Sequence, residues 1–247
     1  RSCEKVFCGS NHTILMMEDN TIFCSGYNNY GQLGDGTVIN RTLIVELENT
    51  TGKNPDEIIS DGNITSIRMS DGSVYSCGEN TYGQLGDGST TDRSSLTQMI
   101  NTTGSKVEKV FVSHSNITMI LENGKIYRTG YNNYGQIGDG TTTDRSSMVE
   151  ITNNGKVVKQ LVSKEFVLLV LMTDGSIYGA GYNNNGMLGD GTTTNRSSMV
   201  EMTNTTGKTP KEISCGDDHV IVLMTDGTIY GTGVNNKGQL GDGTTSN

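Results

Sequence analysis

Tryptophan is absent from this chain, and aromatic residues together make up only 6% of it. Long apolar runs are absent too. No stretch reaches the ~18 residues that a membrane-crossing helix needs, and no membrane insertion is expected. The opening RSCEKVF has neither the basic start nor the long apolar middle of a signal peptide. With Arg at position 1, the chain is expected to lack its true N-terminus. Clusters of Lys and Arg are missing, and at a net charge of −9 the average surface repels phosphate backbones and anionic headgroups. Direct nucleic-acid binding is therefore not expected. The five cysteines, at 3, 8, 24, 77 and 215, form no CxxC pair. An odd number in a chain of this size reads mostly as buried small residues rather than disulfides or metal ligands. Catalytic constellations are also lacking: there is no G-x-S-x-G, no H-E-x-x-H, and the histidines are His12, His114 and His219 alone. Cys8 and His12, four apart, read as structural, and no catalytic residue, metal site or cofactor is assigned.

What the sequence does have is repetition. Stretches like GYNNYGQIGDGTTTDRSS open at Gly26, Gly78, Gly130, Gly181 and Gly233, in steps of 52, 52, 51 and 52 residues. A fixed period near 50 means a solenoid or a propeller. Before each opening lies an apolar run, an Asp-Gly or Asn-Gly pair (Asp71-Gly72, Asn123-Gly124, Asp174-Gly175, Asp226-Gly227) and a second β-prone run. That order predicts a β-hairpin with a two-residue type I′ turn. In the first unit Asp19-Asn20 takes this place, since Asn tolerates the left-handed region. Each unit supplies about four short strands and cannot bury both faces of its sheet alone, so neighbours must stack. The 247 residues are read as one all-β domain, or a propeller fragment, spanning 1–247.

The pattern G-x-N-x-x-G-Q-L-G-x-G, with a preceding G-x-x-H and D-G-x-[IV]-Y, resembles the regulator of chromosome condensation repeat. Kelch repeats are set aside because this chain has no Trp and no adjacent glycines. The resemblance implies a β-propeller of four-stranded blades, commonly seven, with one blade completed by both chain ends. Only five units occur here, and the fifth ends before the segment equivalent to RSSMVEITNNG. A larger ring is therefore expected; a closed five-bladed ring is the rival.

The repeated residues have structural readings first. Glycines such as Gly26, Gly31, Gly34 and Gly36 permit positive φ and close backbone approach. The Asp of each G-D-G (Asp35, Asp87, Asp139, Asp190, Asp242) is expected to make turn and cap bonds, because no unit supplies a calcium-ligand set. Arg41, Arg93, Arg145 and Arg196 are expected to bond loop backbone or a neighbouring acid. A candidate partner-binding rim remains: Tyr27, Tyr131 and Tyr182, then Tyr30, Tyr82 and Tyr134 three residues further on in related units, beside Asn28, Asn132, Asn133 and Asn183. The first Tyr is expected to pack between blades. The later one varies to Asn185 and Lys237, which predicts a solvent-facing position.

The function that follows is a non-enzymatic interaction scaffold with a protein partner, a propeller loop face being the binding surface. The resemblance implies two alternatives: nucleotide exchange on a Ran-type small GTPase, and an exported or virion-associated structural or inhibitory propeller. Ultraviolet sensing, which in the family uses clustered tryptophans, is excluded. Self-association through open sheet edges is a further expectation.

Overall fold

The computed structural model describes residues 2–246, which fold into strands and turns without a helix. Five antiparallel sheets follow one another along the chain, each in sequential strand order. The first holds β1 (Cys3–Cys8), β2 (His12–Met17), β3 (Ile22–Gly26) and β4 (Arg41–Glu46). The second holds β5 (Pro55–Asp61), β6 (Ile64–Met69), β7 (Val74–Gly78) and β8 (Arg93–Gln98). The third holds β9 (Val107–Ser113), β10 (Asn116–Leu121), β11 (Ile126–Gly130) and β12 (Arg145–Ile151). The fourth holds β13 (Val158–Lys164), β14 (Val167–Met172), β15 (Ile177–Gly181) and β16 (Arg196–Glu201). The fifth has three described strands, β17 (Pro210–Cys215), β18 (His219–Met224) and β19 (Ile229–Gly233), in line with the expected shortage of one strand.

Two compact units divide the chain: residues 1–131 with 144–149, and residues 132–143 with 150–247. Within the first unit β1 lies against β5 and β5 against β9; within the second β13 lies against β17. The first strand of each sheet is thus the inner one, as in a propeller blade.

Burial follows from position in the stack. Strand β2, in the first sheet, alternates buried and half-buried residues. Strands β10 (NITMIL) and β14 (VLLVLM) are buried at every residue. A strand covered on both faces can be apolar throughout, and each such Leu or Ile contributes roughly 1.5–3 kcal/mol by leaving water. In the first unit Ile14, Leu33, Ile67, Cys77 and Leu96 pack in one cluster and Ile64, Leu85, Ile117 and Met119 in another. In the second, Leu169, Leu171, Leu188, Val220 and Val222 do the same.

Two expectations are corrected. The hairpin turn is not type I′: Gly72 has φ 82° while Asp71 is not among the positive-φ residues. Gly72 N donates to Met69 O and Met69 N to Ser73 O, so the loop is three residues with glycine in the left-handed region. Asp71 Oδ1 accepts from Ser73 N and from its hydroxyl, which the Asp-Gly rule did not anticipate. Asn20, at φ 65°, fills the glycine's place in the first unit as expected. The cysteines also divide: Cys24 and Cys77 are buried and Cys215 half-buried, but Cys3 and Cys8 on β1 are exposed.

Candidate functional site

The segment from the last residue of each third strand to the fourth strand is built around one asparagine. Asn80, fully buried, donates from Nδ2 to Asp87 Oδ1 (3.2 Å) and to the carbonyls of Ser89 (3.2 Å) and Thr91 (3.1 Å). Its Oδ1 accepts from Leu85 N at 2.9 Å, and its own N–H donates to Asp92 Oδ1 at 2.8 Å. Asn28 and Asn183 make the same set, and Asn132 and Asn235 occupy the same place. A loop of about a dozen residues has many backbone groups to satisfy, and a carboxamide can bond several at once. Asn28, Asn132 and Asn183, placed beside the rim by sequence, are therefore interior hubs.

The G-D-G aspartates complete the loop. Asp35 accepts from Thr37 N (3.0 Å) and Thr37 Oγ1 (2.8 Å), and Arg41 Nε reaches its other oxygen at 2.6 Å. Asp87 with Arg93 and Asp190 with Arg196 repeat this, each at 2.6 Å. Burial by itself would raise the Asp35 carboxyl, but the bonds from Thr37 and Arg41 outweigh it and hold the group below the usual carboxylate range. Turn bonding and a charge-assisted pair thus account for these residues.

Each loop also locks onto the next sheet. A Cβ on Gly83 would lie 2.4 Å from Ser146 Cα, and Gly88 N donates to Ser146 O at 2.9 Å. Gly31 and Gly36 meet Ser94 in the same way, as Gly135 and Gly140 meet Ser197. Thr65 and Thr129 hydroxyls donate back to the Gln32 and Gln84 carbonyls, both at 2.7 Å.

His12 makes one further joint. Its Nε2 lies 2.8 Å from Ser60 Oγ and 3.0 Å from Thr65 Oγ1 on the second sheet. Both hydroxyls donate elsewhere, to Ile64 O and Gln32 O, which assigns the ring proton to Nε2. Burial lowers its pKa from 6.5 to about 4. Gly9 leaves room for the ring, since a Cβ there would sit 2.1 Å from His12 Cε1.

The rim tyrosines Tyr27, Tyr30, Tyr82, Tyr131, Tyr134 and Tyr182 are all half-buried. The later Tyr of one loop meets the first Tyr of the next: Tyr82 and Tyr131 stand 4.7 Å apart, and Tyr134 and Tyr182 5.4 Å, ring centre to ring centre. This corrects the expectation that the later Tyr faces solvent. Tyr27 and Tyr30 pair within one loop at 6.0 Å. Glu79 takes the first-Tyr place in the second unit, and its charge foremost, with Tyr27 next, raises the Tyr30 phenol above its ordinary range. Asn185 is half-buried and Lys237 exposed. Phe166 also joins Tyr134, at 5.0 Å. Sequence reading missed it, although Asn63 and Ser115 stand at its place in the two preceding units.

Among the described residues no group of three or more His, Cys, Asp or Glu could hold a metal ion. A cavity in the second unit, about 620 Å³, is lined by Ile177, Met202, Met224 and Tyr230 among others. Its counterpart in the first unit is about 230 Å³, with Met148 of β12 in its wall. The larger one lies between the fourth sheet and the three described strands of the fifth.

Known proteins share this construction. The ultraviolet-B receptor UVR8 of Arabidopsis thaliana is 26% identical over 242 residues, which is 97% of this chain and 55% of the receptor. The chain therefore spans about half of that relative's length. Human WBSCR16 superposes with a TM-score of 0.78 at 22% identity, covering 99% of this chain and 65% of that one. Prp20p from Saccharomyces cerevisiae gives 0.53 at 14%, covering 98% and 74%. These likenesses show the fold, an all-β propeller built from blades. Models of the regulator of chromosome condensation repeat match residues 3–32 and 211–239, and residues 71–121 and 174–223. Those matches fall on the sheets and loops just described, and the chain belongs to the regulator of chromosome condensation (RCC1) repeat family.

Proposed function

We propose that the chain is a non-enzymatic scaffold that grips a protein partner through the tyrosine-bearing loops at its blade seams. The observation that carries this reading is the pairing of half-buried rings, Tyr82 with Tyr131 and Tyr134 with Tyr182, on loops fixed from inside by Asn80, Asn132 and Asn183. Rigid aromatics of this sort give large contact area at low entropic cost. Among the exposed side chains beside them, Thr81 stands where the other loops carry Asn29, Asn133, Asn184 and Asn236, and such differences supply specificity.

A role in nucleotide exchange draws only on the fold shared with Prp20p, a protein with binding properties toward Gsp1p and histones. At 14% identity that likeness carries fold alone. The test is affinity capture with the intact chain, repeated with Thr81→Arg and Tyr82→Ala, and a nucleotide-release assay on a panel of small GTPases. The scaffold reading expects one retained partner, bound at least about tenfold more weakly by the loop variants and normally by Lys211→Glu on β17. Release of nucleotide at catalytic concentrations, or retention indifferent to the loop variants, would overturn it.

A further inference from the structure

The pairing of rings at the seams has one exception. The second loop opens with Glu79 where the first, third and fourth open with Tyr27, Tyr131 and Tyr182, so Tyr30 has a carboxylate as its strongest charged neighbour. A relay of hydrogen bonds holds that acid in place. The fully buried Gln32 accepts from Tyr30 N at Oε1 (3.2 Å) and donates from Nε2 to Asn63 Oδ1 (3.2 Å). Asn63 Nδ2 in turn donates to Glu79 Oε2 at 3.0 Å, and Glu79 N donates to the Asn63 carbonyl at 3.1 Å. The next seam has no such relay: Ser115 and Tyr131 hold the places of Asn63 and Glu79, and Gln84 Nε2 has no hydrogen-bond partner. Asn63 and Glu79 thus occur together.

This carboxylate has no cation of its own. Among the described residues of the first unit, Arg41 pairs with Asp35, Arg68 with Asp56 and Arg93 with Asp87, and no ion pair includes Glu79. Its Oε1 makes no hydrogen bond to a described residue, Oε2 being the atom that Asn63 reaches. Asp92, exposed at the end of the same loop, adds a second negative charge that acts on Tyr30 and also lacks an ion pair. In the first, third and fourth loops that place is Asn40, Asp144 or Asn195, so the second loop alone joins an acid there to one at the first-Tyr place. Negative charge beside a half-buried phenol opposes the electron-rich face of the ring, whereas a cation is attracted by ring and carboxylate together.

We infer that the seam between the first and second sheets receives an arginine side chain of the protein partner, its guanidinium bonded to Glu79 Oε1 and lying against the Tyr30 ring. On the scaffold reading proposed above, on which this rests, the partner's contact surface therefore carries an exposed arginine. Arginine fits this place better than lysine. A planar guanidinium stacks on a phenol ring while its N–H groups reach a carboxylate, it is more weakly hydrated than an ammonium, and it is the cation that protein interfaces favour. The relay from Gln32 through Asn63 sets the acid before the partner arrives, so little side-chain freedom is lost on binding. The net charge of −9 steers a basic surface toward the chain in the same sense.

The test uses the complete 247-residue chain with isotope-labelled tyrosine rings and, as probe, arginine blocked at both ends by acetyl and amide groups. The Tyr30 ring signals, assigned with Tyr30→Phe, are expected to shift saturably as the probe is added. The blocked lysine is expected to bind at least about threefold more weakly, and blocked citrulline, which keeps the shape without the charge, at least about tenfold. Glu79→Gln keeps an acceptor for Asn63, and Glu79→Tyr copies the other loops. Each is expected to weaken the arginine probe at least about tenfold, with thermal midpoints confirming that both variants fold. Tyr30 signals that ignore the probe, equal binding of lysine or citrulline, or parent-like binding by either Glu79 variant would overturn the inference. With a captured partner the two readings separate. Weakening by Tyr82→Ala but not by Glu79→Gln removes the arginine contact alone, and indifference to both removes the scaffold itself.

Discussion

Among single residues, the buried asparagine of each loop does the most. Asn80 satisfies three acceptors and one donor within its loop, so Asn80→Ala leaves several buried backbone groups unpaired. The expected loss is roughly 2–4 kcal/mol, read as a lower urea midpoint at unchanged slope. Sequence reading marked the loop but not its hub, because an Asn beside Tyr and Gly in a turn looks the same whether it faces water or backbone. The arginines were legible, since Arg41, Arg93 and Arg196 keep a fixed spacing of six from an acid that each then bonds. His12 gives a pH test. Its folded pKa of about 4 lies below the unfolded 6.5, so the unfolded chain takes up the proton first. The stability contributed by the neutral ring is complete above pH 6.5 and falls as the pH drops toward 4, by at most roughly 3 kcal/mol. His12→Asn, which copies Asn116 of the third unit, is expected to remove that part of the acid sensitivity when urea midpoints are compared at neutral and acid pH.

At the scale of strands and loops, close backbone approach sets the tolerance to change. Gly83→Ala would drive a methyl group to 2.4 Å from Ser146 Cα at a φ of +74°, and loss of folding, or more than about 4 kcal/mol, is expected. Gly104→Ala, at the same φ of +74° with nothing within 4 Å, is expected to cost about 1 kcal/mol. Thermal midpoints of the pair separate contact from strain. The strands themselves could be read from runs such as HVIVLM, because period and turn residues repeat five times. The turn type could not: Asp-Gly serves both the two-residue and the three-residue hairpin, and the choice rests on the bonds from Asp71 to Ser73 and on strand twist. The tyrosine pairs were likewise hidden, since Tyr82 and Tyr131 lie in different units and meet only when sheets stack.

For the whole chain, covering by neighbours grades stability along the sequence. Strands β10 and β14 are buried at every residue, whereas β1 and β19 are largely exposed. Hydrogen exchange read by mass spectrometry is expected to be slowest over 116–121 and 167–172 and fastest over 229–233 and 3–8. Uniform protection along the chain would mean that the sheets do not open independently. The seam glycines carry a genetic implication as well. Because the second and third modules each bear both tongue and groove of the same joint, copying or deleting one at the DNA level yields a neighbour that already fits. Such a gene can lengthen or shorten by whole modules while every surviving joint keeps its chemistry.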